Sequence, residues 1–538
     1  MRPDFAGLAG LASPTSLRKP LLASRGVVAS SQPLAVQAGL AALRAGGTAA
    51  DAALATAITL TVVQPAHNGV GGDLFALVWD GTALHGLNAS GRAPAALTPA
   101  AVHAAGHRAM PARGWLPVTV PGAPAGWRDL HERFGRLPFA DLFADAIGYA
   151  EHGYLVPPTS AHHWREAVAG HPSGPEFAGY GPVYAPGGRA PAVGERWSSP
   201  ELARSLRLIA ETRAGAFYAG ELAERIAAFA AATGGPLTGD DLAAHASTWD
   251  DPIGVDHRGV RVWELPPNGQ GLAALLALNL YGGFDPEPEY HAADRYHRQI
   301  EAMKLAFADA LRYVADPAHA AVPVSELLAP EYADRRRALI GARALLPEPG
   351  DPLRGGTVYL CAADSGGMMV SLIQSNFMGF GSHVVVPGTG ISLHNRGASF
   401  SLDPYHPNVV APGKRPYHTI IPGFLSAGDG TPIGPFGVMG GHMQPQGHLQ
   451  VVTNTVDYGM DPQAALDAPR WCWTAGLQVR MEPTVPAAVV EELRARGHQV
   501  VVEPRLDLFG CGQAIWRLPA GGYVAGSEPR TDGYAAGW

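Results

Sequence analysis

The run Arg354-Gly355-Gly356-Thr357-Val358-Tyr359 sets a threonine directly after two glycines and ahead of an apolar stretch. If the peptide bond before such a threonine is cut, one residue carries both a hydroxyl that can attack a carbonyl and a free α-amine that can take its proton. Left uncut, the same step is a turn into a strand. A second glycine pair, Gly440-Gly441, can offer backbone N–H groups to an oxyanion, because no Cβ prevents close approach. Other groupings carry less. His442 and His448 stand six apart, off a common helix face and with no third ligand, so no metal is expected. Gly69-Val70-Gly71-Gly72 lacks the lysine of a phosphate loop and feeds a strand, which leaves a tight connection and no nucleotide site. No cofactor is expected.

The elements around these residues follow from periodicity. Pro33 opens a helix over 34–43 that Gly46-Gly47 ends, and Thr48 precedes an alanine-rich helix over 49–63, apolar nearly all round and so buried. A strand over 74–79 follows. From about 127 to 350 the pattern reads as mostly helical, clearest over 301–311. The Pro/Gly-rich segment 346–356 reads as an exposed linker. After Thr357 the texture turns to short strands, at 358–362 and 368–373 around the turn Asp364-Ser365-Gly366-Gly367, then near 383–386, 419–424 and 434–438, with a helix near 445–457. Strands and helices fall in blocks, which favours layered α+β packing over a parallel doubly wound sheet.

The chain has 538 residues, 47% hydrophobic and only 16% charged, which excludes general disorder. Its 67 glycines and 48 prolines are scattered, as many short connections require. With a net charge of −8 and no Lys/Arg cluster, neither nucleic acid nor an anionic membrane is expected as a partner. Every apolar run is too short to span a bilayer, and the stretch Phe5–Ala12 follows an acid, so a cytoplasmic protein is expected. Cys361, Cys472 and Cys511 lack metal or disulfide spacing and read as buried small hydrophobes.

Taken in order, Leu43-Arg44-Ala45-Gly46-Gly47-Thr48-Ala49-Ala50-Asp51-Ala52-Ala53, Gly69–Asp73, Val120-Pro121-Gly122, Pro267-Asn268-Gly269-Gln270-Gly271, Pro412-Gly413-Lys414-Arg415-Pro416, Gly440-Gly441, Ala468-Pro469-Arg470 and Pro529-Arg530-Thr531-Asp532-Gly533 resemble the γ-glutamyltranspeptidase family of N-terminal nucleophile hydrolases across nearly the whole chain. The resemblance implies a four-layered αββα sandwich and a precursor cut between Gly356 and Thr357. The parts would be a large segment, 1–356, and a small one, 357–538, intertwined in one unit, staying associated and open to pairing as a homodimer of heterodimers. It also implies Thr357 as nucleophile, Gly440 and Gly441 as oxyanion donors, Ser375 as support for the nucleophile and Asn376 as a substrate contact. Asn376 equally suits a strand end.

The substrate pocket departs from the family. Acidic or amide groups that would hold an α-ammonium are replaced in Asn395-Arg396-Gly397-Ala398-Ser399-Phe400, and a Ser-Ser pair by Tyr417-His418-Thr419. The arginine that would hold a carboxylate is displaced to Arg92. Acceptors for a cation are lost and donors for an anion gained, so Arg92, Asn395, Arg396, Ser399, His418 and Thr419 are read as substrate contacts for an acyl group bearing a carboxylate but no α-ammonium, oxamate-like or glutaryl-like. The bland alternative is that Arg396 pairs with an acid and packs. A short connection between Phe400 and Lys414 leaves little room for a lid, which favours hydrolysis over transfer. The expected function is a self-processing threonine amidohydrolase acting on a small-molecule amide. The alternatives are a γ-glutamyltransferase or glutathione hydrolase, and an unprocessed binding or scaffold relative.

Overall fold

A computed structural model describes residues 18–346 and 356–538. The apolar stretch at 5–12 and the linker at 347–355 lie outside them.

Two seven-stranded antiparallel sheets stack face to face. Sheet I runs in the order Tyr534–Gly537, Val27–Ser30, Gly356–Ala363, Met369–Phe377, Asp73–Trp79, Leu84–Ala89, Thr248–Asp250. Sheet II runs Leu21–Ala23, Tyr523–Ser527, Cys511–Arg517, Pro432–Met439, Gly423–Ala427, Val260–Glu264, Ile253–His257. Between them the apolar faces of both sheets are buried. The sheets approach closely where a Cβ on Gly437 of sheet II would stand 2.5 Å from the Tyr359 ring of sheet I. Helices Pro33–Arg44 and Ala49–Val63 cover the outer face of sheet I, and Gly271–Gly282, Met443–Val456 and Pro462–Asp467 that of sheet II. The architecture is the expected α+β, four-layered αββα sandwich.

The local reasons are legible. Gln32 caps the first helix by accepting from the N–H groups of Leu34 and Ala35. Thr48 and Asp51 form a reciprocal capping box for the second, whose fifteen residues are all buried, as an all-round apolar helix must be. Cys361 and Cys511 are buried, Cys472 is half-buried, and none is in a disulfide.

Four expectations are corrected. The region read as mostly helical, 127–350, also contains Thr248–Asp250, Ile253–His257 and Val260–Glu264, which finish one edge of each sheet. Each is only three to five residues long, too short to interrupt the helical reading of the region. The strand expected at 419–424 is Gly423–Ala427, because Thr419 and its neighbours form an extended connector into it. The strand at 383–386 shrinks to Val385–Val386. The strand at 368–373 continues through Gln374-Ser375-Asn376 to Phe377, since the buried Gln374 amide finds partners in Trp127 (2.8 Å) and Asn68 (2.6 Å). In helix Ala293–Tyr313 the pair Glu301–Lys304 is fully buried as a 2.7 Å ion pair.

Candidate active site

Thr357 sits where the ladder between Gly356–Ala363 and Met369–Phe377 slips: Gly356 faces Phe377 but Val358 faces Gln374. An irregularity of this kind re-aims a side chain out of the regular pleat. The Thr357 side chain is buried, with Oγ1 3.2 Å from Ser375 Oγ on the neighbouring strand and 3.5 Å from Gln444 Nε2. Gln444 Oε1 accepts from Ile421 N–H at 3.0 Å, so the amide is oriented and its NH₂ faces the threonine.

Gly440 and Gly441 link strand Pro432–Met439 to helix Met443–Val456 with φ of +138° and +62°, conformations that favour glycine. Their carbonyls are held, by Met443 N–H and Gln444 N–H respectively, and Gly441 O also accepts from Gln270 Nε2 at 2.8 Å. Their N–H groups have no acceptor among the described residues. A turn fixed through its carbonyls, with free N–H groups at the start of a fourteen-residue helix, is suited to hold an anion. Gly440 and Thr357 line one cavity of about 340 Å³.

On the other side of Ser375 lies Arg396, fully buried. It donates to Ser375 Oγ at 3.3 Å and to Thr419 Oγ1 at 2.7 Å, and its guanidinium stacks 4.2 Å from the centre of the Phe377 ring. Its Nε has no partner, and it forms no ion pair among the described residues. Burial lowers its pKa to about 9 against the raising effect of Asp73, so it is charged at neutral pH. Asp73 itself is engaged: its Oδ1 accepts from Gly91 and Gly122 N–H, and its Oδ2 from His418 Nε2–H at 3.0 Å. Burial would raise the Asp73 carboxyl, but His394, His418 and Arg396 outweigh it and hold the group well below the usual range. His418 Nδ1 accepts from Ile420 N–H, which fixes the neutral tautomer, and burial, reinforced by Arg396, lowers its pKa to about 3.

The remaining sequence candidates scatter. Asn376 turns to the opposite face of its strand from Ser375. There its amide rests against Gly69 and Gly72, where a Cβ would come within 3.1 and 3.0 Å, and neither amide atom has a hydrogen-bond partner. Strand alternation brings Phe377 to the Arg396 side instead. Arg92 is drawn away, donating to Gly413 O at 3.1 Å and facing Asp316 at 3.5 Å. Asn395 braces loops, accepting from Met378 N–H and donating to Ala112 O at 2.8 Å. Ser399 lines a separate cavity of about 1070 Å³ that reaches Tyr417 and His442. Residues the sequence reading passed over are Gln444, Gln270, Phe377 and Asp73. Gln270 and Asp73 lay inside motifs already singled out, whereas nothing in the local pattern marks Gln444 or Phe377.

His442 and His448 do not meet. His448 donates from Nδ1 to Glu264 at 2.6 Å and accepts from Val438 N–H, while His442 lies against Tyr417 and Phe307. Two other groups gather ligand-type atoms within 4.8 Å, His162/His163/Glu166/Asp507 and His297/Glu301/His498. Each has a protein cation: Arg505 pairs with Glu166 and Asp507, and Lys304 with Glu301.

Two stacked antiparallel sheets between helical layers are the architecture of the N-terminal nucleophile hydrolases. The chain belongs to the gamma-glutamyltranspeptidase family, whose model matches residues 35–538. It is 37% identical over 531 residues to "Glutathione hydrolase-like YwrD proenzyme" of Bacillus subtilis strain 168, covering 97% of this chain and 100% of the relative. It is also 37% identical over 533 residues to "Oxamate amidohydrolase proenzyme" of Klebsiella pneumoniae, covering 96% and 99%. The crystal structure of a cephalosporin acylase from Bacillus halodurans superposes with a TM-score of 0.94 at 55% identity, covering 98% of this chain and 99% of that one. The protein is a hydrolase of this family, and no described helix is long and apolar enough to cross a membrane.

Proposed function

We propose that the protein is a self-processing threonine amidohydrolase whose acyl group carries a carboxylate and no α-ammonium. In processing, Thr357 Oγ1 attacks the Gly356 carbonyl carbon, the C–N bond breaks, and the freed α-amine takes the hydroxyl proton. Water then hydrolyses the ester, leaving segments 1–356 and 357–538 associated, as sheet I takes strands from both. In turnover the same oxygen attacks a substrate amide. The proton passes through the α-amine to the leaving nitrogen, and water, deprotonated by that amine, releases the acid. The N–H groups of Gly440 and Gly441 take the oxyanion.

The observation that carries the acyl assignment is Arg396: buried, charged, without an acid partner among the described residues, and one hydroxyl away from Thr357. Asp73 is a carboxylate whose charge already acts on Arg396, but its oxygens are taken by Gly91, Gly122 and His418, so the guanidinium keeps donors for a substrate anion. In the sequence Arg396 stands in the stretch where the family resemblance places acceptors for an α-ammonium. The names of the oxamate amidohydrolase and cephalosporin acylase relatives agree with acyl groups other than γ-glutamyl. The connection at 401–409 closes on itself through Ser401 N–H to Asn408 O and Val410 N–H to Ser401 O, and Tyr405 at its tip is exposed, so it shields no acyl-enzyme from water.

Mass spectrometry of the purified protein tests processing: two fragments divided before Thr357 are expected, and one intact chain from Thr357→Ala. Kinetics on glutaryl and γ-glutamyl 4-nitroanilides test the acyl group, and a strong preference for the γ-glutamyl compound would sink it.

A further inference from the structure

The motif Pro267-Asn268-Gly269-Gln270-Gly271 takes no part in the chemistry above, yet its glutamine reaches two separate parts of the site. Asn268 and Gln270 are buried. Their backbone runs parallel to the connector at 416–419: His418 N–H donates to Asn268 O and Gln270 N–H to His418 O, each at 2.9 Å. The Asn268 amide donates to Pro416 O at 2.8 Å and accepts from Asn88 of sheet I at 2.9 Å, so the motif is itself anchored. On this base both polar atoms of the Gln270 side chain are engaged. Nε2 donates to Thr419 O at 2.6 Å and to Gly441 O at 2.8 Å, while Oε1 accepts from the Tyr417 hydroxyl at 3.1 Å. Two carbonyls demand two donors, which fixes the orientation of the amide.

The two carbonyls do different work. Thr419 accepts from Arg396 on its hydroxyl, and Gly441 carries one of the N–H groups proposed for the oxyanion. We infer that Gln270 is a positioning residue: by holding Gly441 O it sets the dihedrals that aim the Gly441 N–H, and by holding Thr419 O it fixes that N–H relative to Arg396. A glycine at φ +62° has no side chain to restrict it, so its direction depends on contacts made by its carbonyl. Gln444 N–H reaches the same oxygen at 3.2 Å from within the turn, whereas Gln270 holds it from a different element. The role is geometric, since a glutamine amide neither gives nor takes a proton here. The inference rests on Gly441 N–H holding the oxyanion, as proposed above.

A double-mutant cycle with Gly441→Ala tests it, on whichever acyl anilide the enzyme accepts and with kcat referred to the cleaved, folded fraction of each variant. Gln270→Met keeps the length of the side chain and removes all three of its hydrogen bonds. It should lower kcat about tenfold in the wild-type background, with KM within about twofold, and by less than about twofold in the Gly441→Ala background, because residues that act through one another are non-additive. A merely structural role would give the same fold loss in both backgrounds. Tyr417→Phe removes only the hydroxyl that orients the amide; it should lower kcat roughly two- to threefold and carries the same comparison if Gln270→Met does not fold. A Gln270→Met kcat equal to that of the wild type, or equal fold losses in the two backgrounds, overturns the inference while leaving the oxyanion assignment standing. If Gly441→Ala alone keeps wild-type kcat, the oxyanion assignment falls and this inference falls with it.

Discussion

The Arg396 guanidinium donates to Ser375 Oγ at 3.3 Å, and that oxygen lies 3.2 Å from Thr357 Oγ1. A buried cation is thus linked to the candidate nucleophile through one hydroxyl. In a low-dielectric interior such a link polarises the intervening group. It also ties acyl recognition to the attacking atom, since a carboxylate drawn to Arg396 is brought next to Ser375.

Replacing Arg396 with Met should therefore hurt carboxylate-bearing acyl groups selectively. Removing one partner of a buried charged contact costs roughly 2–5 kcal/mol. We expect kcat/KM on a glutaryl anilide to fall by about 10² or more, and on a butyryl anilide by much less, with Arg396→Lys intermediate. Equal losses on both anilides would make Arg396 a packing residue.

Gln444 should act on rate and not on binding. Its Oε1 is occupied by Ile421 N–H, so Nε2 is directed at Thr357 Oγ1, at a distance that is long for a neutral hydroxyl and would shorten as charge develops on it. Gln444→Leu should lower kcat about tenfold with little change in KM, read from the acylation burst of an activated anilide. A kcat within twofold of wild type would remove Gln444 from the chemistry.

How much of this was legible in the sequence depended on whether a residue's role is local. The capped helix Ala49–Val63 was, because its cap and its unbroken apolar run are contiguous. The Gly440-Gly441 turn and the strand after Gly356 were as well. Asn376 and Arg92 were not: which face of a strand a residue takes, and which distant acid an arginine finds, depend on register and on long-range contacts. Gln444 acquires its role only because Ile421, twenty-three positions earlier, takes its oxygen. The strands within 248–264 were hidden because each is only three to five residues long.

The two glycines should resist substitution for different reasons. A Cβ on Gly440 would sit 3.1 Å from Gly510 Cα at φ +138°, whereas Gly441 needs its φ of +62° to present its N–H. Loss of one oxyanion donor costs ~3 kcal/mol of barrier, so Gly441→Ala should reduce kcat by about 10²-fold or more while leaving the melting temperature within a few degrees. A variant that keeps wild-type kcat would show that the oxyanion is held elsewhere.

The buried neutral histidines set an acid limit on stability. Burial, with Arg396 adding to it, lowers His442 to about 4 and His418 to about 3, and burial followed by Arg113 lowers His383 to about 3. In the unfolded chain each protonates near ~6.5. Between that value and the folded one the unfolded state binds more protons, so stability rises with pH and is lost on acidification through this window. Each fully titrating histidine contributes a slope of up to ~1.4 kcal/mol per pH unit. Asp73, whose pKa is depressed, acts lower down: its contribution is complete above the ordinary carboxylate range and fails only below it. Urea unfolding at steps from pH 6.5 to 4.5 should therefore show a falling free energy, and His442→Gln should flatten that fall by about one histidine's share. Parallel curves for the variant and the wild type would mean that His442 is not held neutral in the fold.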